Sequence, residues 1–121
     1  MTSKPSKPSK PSKFNIRLHV AVYISPENID QFFDAFKPAY DQAFAEPECL
    51  RFEVYKSRQN PGEIRWVEDW SKSLEWFLKE QITKSYYKEY LKITEPMFIK
   101  PREVRILERL GPDVFRLSSP P

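Results

Sequence analysis

The stretch RWVEDWSKSLEWF, residues 65–77, holds all three tryptophans of the chain and changes rhythm halfway along. Trp66, Glu68 and Trp70 stand two apart, so on a strand they share one face. From Leu74 onward, Leu74, Phe77, Leu78 and Ile82 recur at helical spacing. A strand therefore runs into a helix here. Trp76 falls about one turn into that helix and is placed to fold back over the strand's tryptophan face.

Working outward, CLRFEVYKS (49–57) alternates as a strand, and Asn60-Pro61-Gly62 is a turn signal that joins it to residues 63–70 as a hairpin. FNIRLHVAVYI (14–24) is a further strand, with Phe14, Ile16, Leu18, Val20, Val22 and Ile24 on one face. Asn15, Arg17, His19, Ala21 and Tyr23 occupy the other. Ser25-Pro26 reads as a helix start, a capping hydroxyl followed by proline at the first helical position. Ile29, Phe32, Phe33, Phe36, Tyr40 and Phe44 continue as an amphipathic helix in which Pro38 predicts a kink. Beyond a polar break at 83–85, Tyr86, Tyr90, Ile93 and Met97 mark a second helical piece closed by Pro96 and Pro101. EVRILERL (103–110) is the last strand.

The order β-α-β-β-α-β is the ferredoxin-like arrangement of the α+β class. Both helices then cover one face of a four-stranded antiparallel sheet. The uncovered face is expected to be largely apolar, which marks an interface and predicts a symmetric homodimer packed sheet against sheet. The folded domain is expected over residues 14–111, with 112–121 a loose tail or a strap onto a partner chain.

At 121 residues the chain is long enough for one domain with a real core, and nine Phe, six Tyr and three Trp supply large rings for it. No apolar run reaches the roughly 20 residues of a membrane helix, and MTSKPSKPSKPSK lacks the apolar segment of a secretory signal. Cys49 is the single cysteine, which excludes an internal disulfide and makes a cytoplasmic location the expectation. The net charge of +3 misleads, because residues 1–13 carry four lysines and no acid, leaving −1 on residues 14–121. No nucleic-acid stripe is present. The thrice-repeated SKP predicts an extended, disordered tail or linker, with a weak tether to an anionic surface as the alternative.

Two readings of the tryptophan cluster stand side by side. In one, the rings are core packing and Glu68 pairs with Arg51 or Arg65. In the other, they wall a pocket for a flat ligand, the strand forming a wall and the helix a lid. A carboxylate amid the bulkiest rings favours the pocket, since an unpaired carboxylate in a dry core is very costly.

The region Phe14–Leu110 resembles the antibiotic biosynthesis monooxygenase family of dimeric α/β-barrel proteins. The resemblance rests on the element order, on Glu46-Pro47-Glu48-Cys49-Leu50, similar to the family's E-P-G-C-L, and on Glu68-x-Trp70 followed by a Ser-rich turn and Leu74. It implies oxidation of polycyclic phenols or anthrones by molecular oxygen with no cofactor. The cofactor-free members use an Asn, a Trp and a Tyr; Trp66, Trp70 and Trp76 fall at those places, so one of the three is kept. A related branch degrades haem with a histidine on the second helix. Glu89 falls near that place and the helix has no histidine, which argues against haem; Lys79 and Lys84 occupy roughly the places where many family members carry histidines on the helix after the Trp.

His19 is the only histidine and the natural general base, with a hydrogen-bonded structural role as the alternative. His19, Trp70 and Trp76 are the catalytic candidates, and Tyr23, Trp66, Glu68, Tyr86 and Tyr90 the substrate-binding candidates. Cys49 reads as a packing residue. One His and one Cys make no metal site, and Gly62 and Gly111 alone make no phosphate loop. The expected function is a cofactor-independent monooxygenase acting on a planar aromatic or polyketide-type molecule. A related cyclase or isomerase and a non-catalytic ligand-binding dimer are the alternatives.

Overall fold

The computed structural model describes residues 14–110, so the tails assigned to 1–13 and 112–121 lie outside the described residues. Strand β1 spans Ile16–Tyr23, helix α1 Ile29–Ala45, strand β2 Cys49–Lys56 and strand β3 Glu63–Trp70. A short helix α2, Leu74–Trp76, runs into a π-helical turn at Phe77–Gln81; helix α3 covers Ser85–Thr94 and strand β4 Glu103–Glu108. The sheet order is β2-β3-β1-β4, all antiparallel, which is the ferredoxin-like topology.

Register decides which side chains meet. Ile16 stands opposite Trp70, Leu18 opposite Glu68 and Val20 opposite Trp66. The period of two then carries the apolar face of β1 and the tryptophan face of β3 under the helices together. Phe32 and Phe36 of α1 pack there, the Phe36 ring 4.8 Å from that of Trp66.

One local detail departs from the sequence expectation. Ser25 caps with its carbonyl, which accepts from Asn28 N at 2.8 Å, and a 3-10 turn at Pro26–Asn28 precedes α1. Helix α1 contains Pro38, as expected, and buries Phe32, Phe36, Ala39 and Ala43 along the face that packs on the sheet.

The uncovered sheet face corrects a larger expectation: it is charged, not apolar. Arg17 makes two bonds to the buried Asp69, at 2.6 and 2.8 Å, and Arg51 approaches the same carboxylate at 3.5 Å. Arg65 pairs with Glu63, and His19 lies exposed beside them. The reason is parity: the helices took the Ile16-Leu18-Val20-Val22 face, leaving its alternates outside. Exposed apolar side chains gather instead near the β4 edge, at Leu78, Ile82, Val104 and Ile106. No helix among the described residues is long and apolar enough to cross a membrane.

The β2–β3 turn is fixed by close approach. A Cβ on Gly62 would lie 1.9 Å from the Ile24 carbonyl oxygen. Gly62→Ala must push this turn off β1, and we expect a loss of about 1–3 kcal/mol, read as a lower melting temperature with the same cooperativity. A melting curve unchanged from wild type would show that the turn yields.

Candidate active site

Between the sheet and the α2–α3 segment lies a cavity of about 220 Å³. Its floor is Leu18 and Val20 of β1 with Trp66 and Glu68 of β3; Phe77, Tyr87 and Tyr90 come from the helical side, and Arg102 from the approach to β4. The exposed Leu78, Ile82, Val104 and Ile106 form its apolar rim. A larger groove of about 680 Å³ runs between α1 and β2, but it is open and its carboxyl, Glu53, is exposed. The smaller cavity holds the buried carboxyl, Glu68.

Glu68 is only 5 % exposed. It pairs with neither Arg51 nor Arg65. Its Oε2 accepts the Trp66 indole N–H at 2.9 Å and its Oε1 accepts that of Trp70 at 2.9 Å. All three sit on one strand face at alternate positions, so the strand itself builds the clamp. Burial pushes the Glu68 carboxyl above its ordinary value; the two indole bonds and the charge of Arg102 pull it down without cancelling the shift. A carboxyl raised above its ordinary value at a cavity wall is a candidate proton acceptor.

Trp70 is fully buried, and Trp76 leans on it with ring centroids 6.2 Å apart. The fold-back follows from Ser73, whose Oγ accepts from Trp76 N at 3.1 Å and starts the helix. The π-helical turn that follows is a distortion frequent at functional sites.

The candidate residues divide clearly. Trp66, Glu68 and Tyr90 line the cavity, and Trp70 holds Glu68 from beneath. Trp76 backs Trp70. Tyr86 turns away from the cavity, donating to Glu46 at 2.9 Å. His19 and Tyr23 stand on the opposite face of the sheet, where the Tyr23 hydroxyl bonds Glu103 at 3.1 Å. The structure does not bring His19 to the tryptophans.

Tyr87 and Arg102 complete the cavity but carried no role in the sequence reading. Tyr87 was legible: Tyr87, Tyr90, Leu91 and Thr94 share one helix face at spacings of three and four. Arg102 lies in a segment without period, and only the fold puts it beside Glu68. Cys49 is buried, and no metal-binding group of His, Cys, Asp or Glu occurs among the described residues.

Residues 15–78 match the model of the antibiotic biosynthesis monooxygenase family, more than half of the chain, and the protein belongs to that family. A protein of Pestalotiopsis microspora named as a candidate monooxygenase is 28 % identical over 96 residues, covering 79 % of this chain and 80 % of its own. A conserved protein from Methanosarcina mazei superposes with a TM-score of 0.73 at 23 % identity, over 80 % of this chain and 94 % of that one. A candidate antibiotic biosynthesis monooxygenase from Caulobacter crescentus gives 0.71 at 19 % identity, over 81 % and 92 %. At these identities the solved structures speak for the fold. The family match ends at Leu78, so the α3 and Arg102 walls of the cavity lie outside it.

Proposed function

We propose that this chain is a cofactor-independent monooxygenase acting on a planar phenolic molecule, with Glu68 as its base. The observation that carries the reading is the Glu68 carboxyl itself, buried at an aromatic cavity and held by two indole N–H groups in place of an ion pair. The volume lies below the roughly 300–1,000 Å³ usual for small-molecule sites. It suits one or two rings inside, with a third ring over the apolar rim.

For a ring methylene of the anthrone kind, Glu68 takes one proton. The resulting carbanion, delocalised onto the ring oxygen, passes one electron to molecular oxygen. The radical pair combines to a peroxide at that carbon, and O–O cleavage with loss of water leaves a ring carbonyl. One oxygen atom ends in the product and the other in water, with both methylene hydrogens in the water. The protein has to supply a base, donors for the charged ring oxygen and exclusion of bulk solvent. Tyr87, Tyr90 and Arg102 are the donors within the cavity.

The test is oxygen uptake with anthrone, corrected for the protein-free rate, beside product analysis for one ¹⁸O atom from labelled oxygen. Binding without oxygen uptake or change in the ligand moves the reading to a ligand-binding dimer. That second reading has its own support: Trp66 and Trp76 stand where the cofactor-free members carry Asn and Tyr, and the Trp66 N–H is already committed to Glu68.

The family is typically dimeric, and we extend this to the present chain, with the ion-paired open face as the contact. Light scattering should give a mass near twice 14.5 kDa. Because the face is charged, the dimer should weaken at high salt; a monomer at micromolar concentration in low salt overturns it.

A further inference from the structure

Resting on the reading of this cavity as the ligand site, we propose that Tyr87 is the donor that selects an oxygen-bearing ring. Gln81 is the positioning residue that aims it.

Gln81 is fully buried at the end of the π-helical turn. Its Nε2 donates to the Tyr86 hydroxyl at 2.6 Å and to the Tyr87 hydroxyl at 3.2 Å. The Tyr86 proton goes on to Glu46 Oε2 at 2.9 Å, which also accepts from Lys84 Nζ at 2.8 Å. An amide N–H offered to a phenol oxygen makes that oxygen an acceptor on this side and turns its own proton elsewhere. For Tyr86 the proton's destination is Glu46. For Tyr87, whose side chain lines the cavity, a ligand oxygen on the cavity side is the acceptor, in competition with the Tyr86 hydroxyl next to it.

Two further facts agree. Burial and the neighbouring Glu68 charge hold the Tyr87 hydroxyl protonated, so it remains a donor across the working pH range. The Gln81 carbonyl oxygen is buried without a partner, a cost of about 1–3 kcal/mol that an apolar residue would avoid. A half-satisfied amide at this point fits a position kept for the donors it supplies. Base and donor then share one cavity: Glu68 receives the proton the substrate loses, and Tyr87 stabilises the charge left on its oxygen.

The experiment compares 2-naphthol with naphthalene by quenching of tryptophan fluorescence, using the full chain. Wild type should prefer 2-naphthol by about tenfold, the equivalent of one good hydrogen bond. Tyr87→Phe should abolish that preference and leave naphthalene affinity unchanged. Gln81→Met should lose most of it, and the Gln81→Met/Tyr87→Phe double variant should lose no more than Tyr87→Phe alone, because both act through one bond. If Gln81→Met does not fold, Gln81→Glu, close in volume but without the two N–H donors, takes its place. A preference that survives Tyr87→Phe, or losses that add in the double variant, overturns the proposal. Wild type that binds neither probe, or both equally, overturns it as well. A 2-naphthol preference that depends on Tyr87, in a protein that consumes no oxygen, sustains the donor role and removes the monooxygenase reading.

Discussion

Glu68→Gln should lower oxygen uptake by about 10²–10⁴-fold, the range a positioned general base supplies, while ring binding measured by tryptophan quenching stays close to wild type. The amide keeps the carboxyl's shape and cannot take the proton. Its oxygen still accepts one indole N–H, but its NH2 group faces the other, so the fold should lose about 1–3 kcal/mol for one orphaned donor. The pH dependence separates the role from this structural loss. Glu68 must be ionised to act, so wild-type kcat/KM should rise with pH through a pKa above the ordinary carboxylate range. Stability runs the other way: with the folded pKa raised, the contribution of Glu68 is fully present below its unfolded pKa. It is lost as pH climbs through the folded one. In Glu68→Gln both slopes should vanish. Full turnover in that variant would remove the carboxyl from the chemistry.

Trp70→Phe should cost about 2–4 kcal/mol, more than a swap of one buried aromatic ring for another suggests. Volume is lost at a fully buried position, and Glu68 Oε1 loses its donor inside the core. For a domain of this size the melting temperature should fall on the order of 10 °C. With one of the two bonds that favour its ionised form gone, the Glu68 pKa should move further up, carrying the acid limb of kcat/KM with it. Turnover at a pH on the acid limb then falls and recovers at higher pH. A stability loss with an unmoved pH profile would mean that Trp70 packs the core and does not tune the base.

The strands and helices were written in local pattern. Alternation in 14–24, 49–57 and 63–70, and helical spacing from Ile29 and Leu74, depend on neighbours a few residues away and need no knowledge of the rest of the chain. The tryptophan-glutamate face of β3 was legible for the same reason, since Trp66, Glu68 and Trp70 are alternate residues on one strand. The family followed from Glu68-x-Trp70 and the Glu46–Leu50 segment. What the pattern left open was which side of each strand the helices would take, and everything that hangs on that choice.

Tertiary packing made it by seating Phe32 and Phe36 against the Leu18 and Trp66 side. That put His19 and Tyr23 across the sheet from the cavity and turned the open face into the Arg17–Asp69 network. The sequence reading left the Glu68 partner open between the indoles two residues away, Arg65 three residues away and Arg51 on the paired strand. Strand alternation sends those arginines to the far face, where they bond Asp69 and Glu63. Tyr87, Gln81 and Arg102 reach the cavity region only once α3 packs over the sheet and β4 pairs with β1. Sequence alone determined the elements and the residues that share a face; long-range contacts decided which faces meet, because a burial preference favours covering an apolar face without naming the element that covers it.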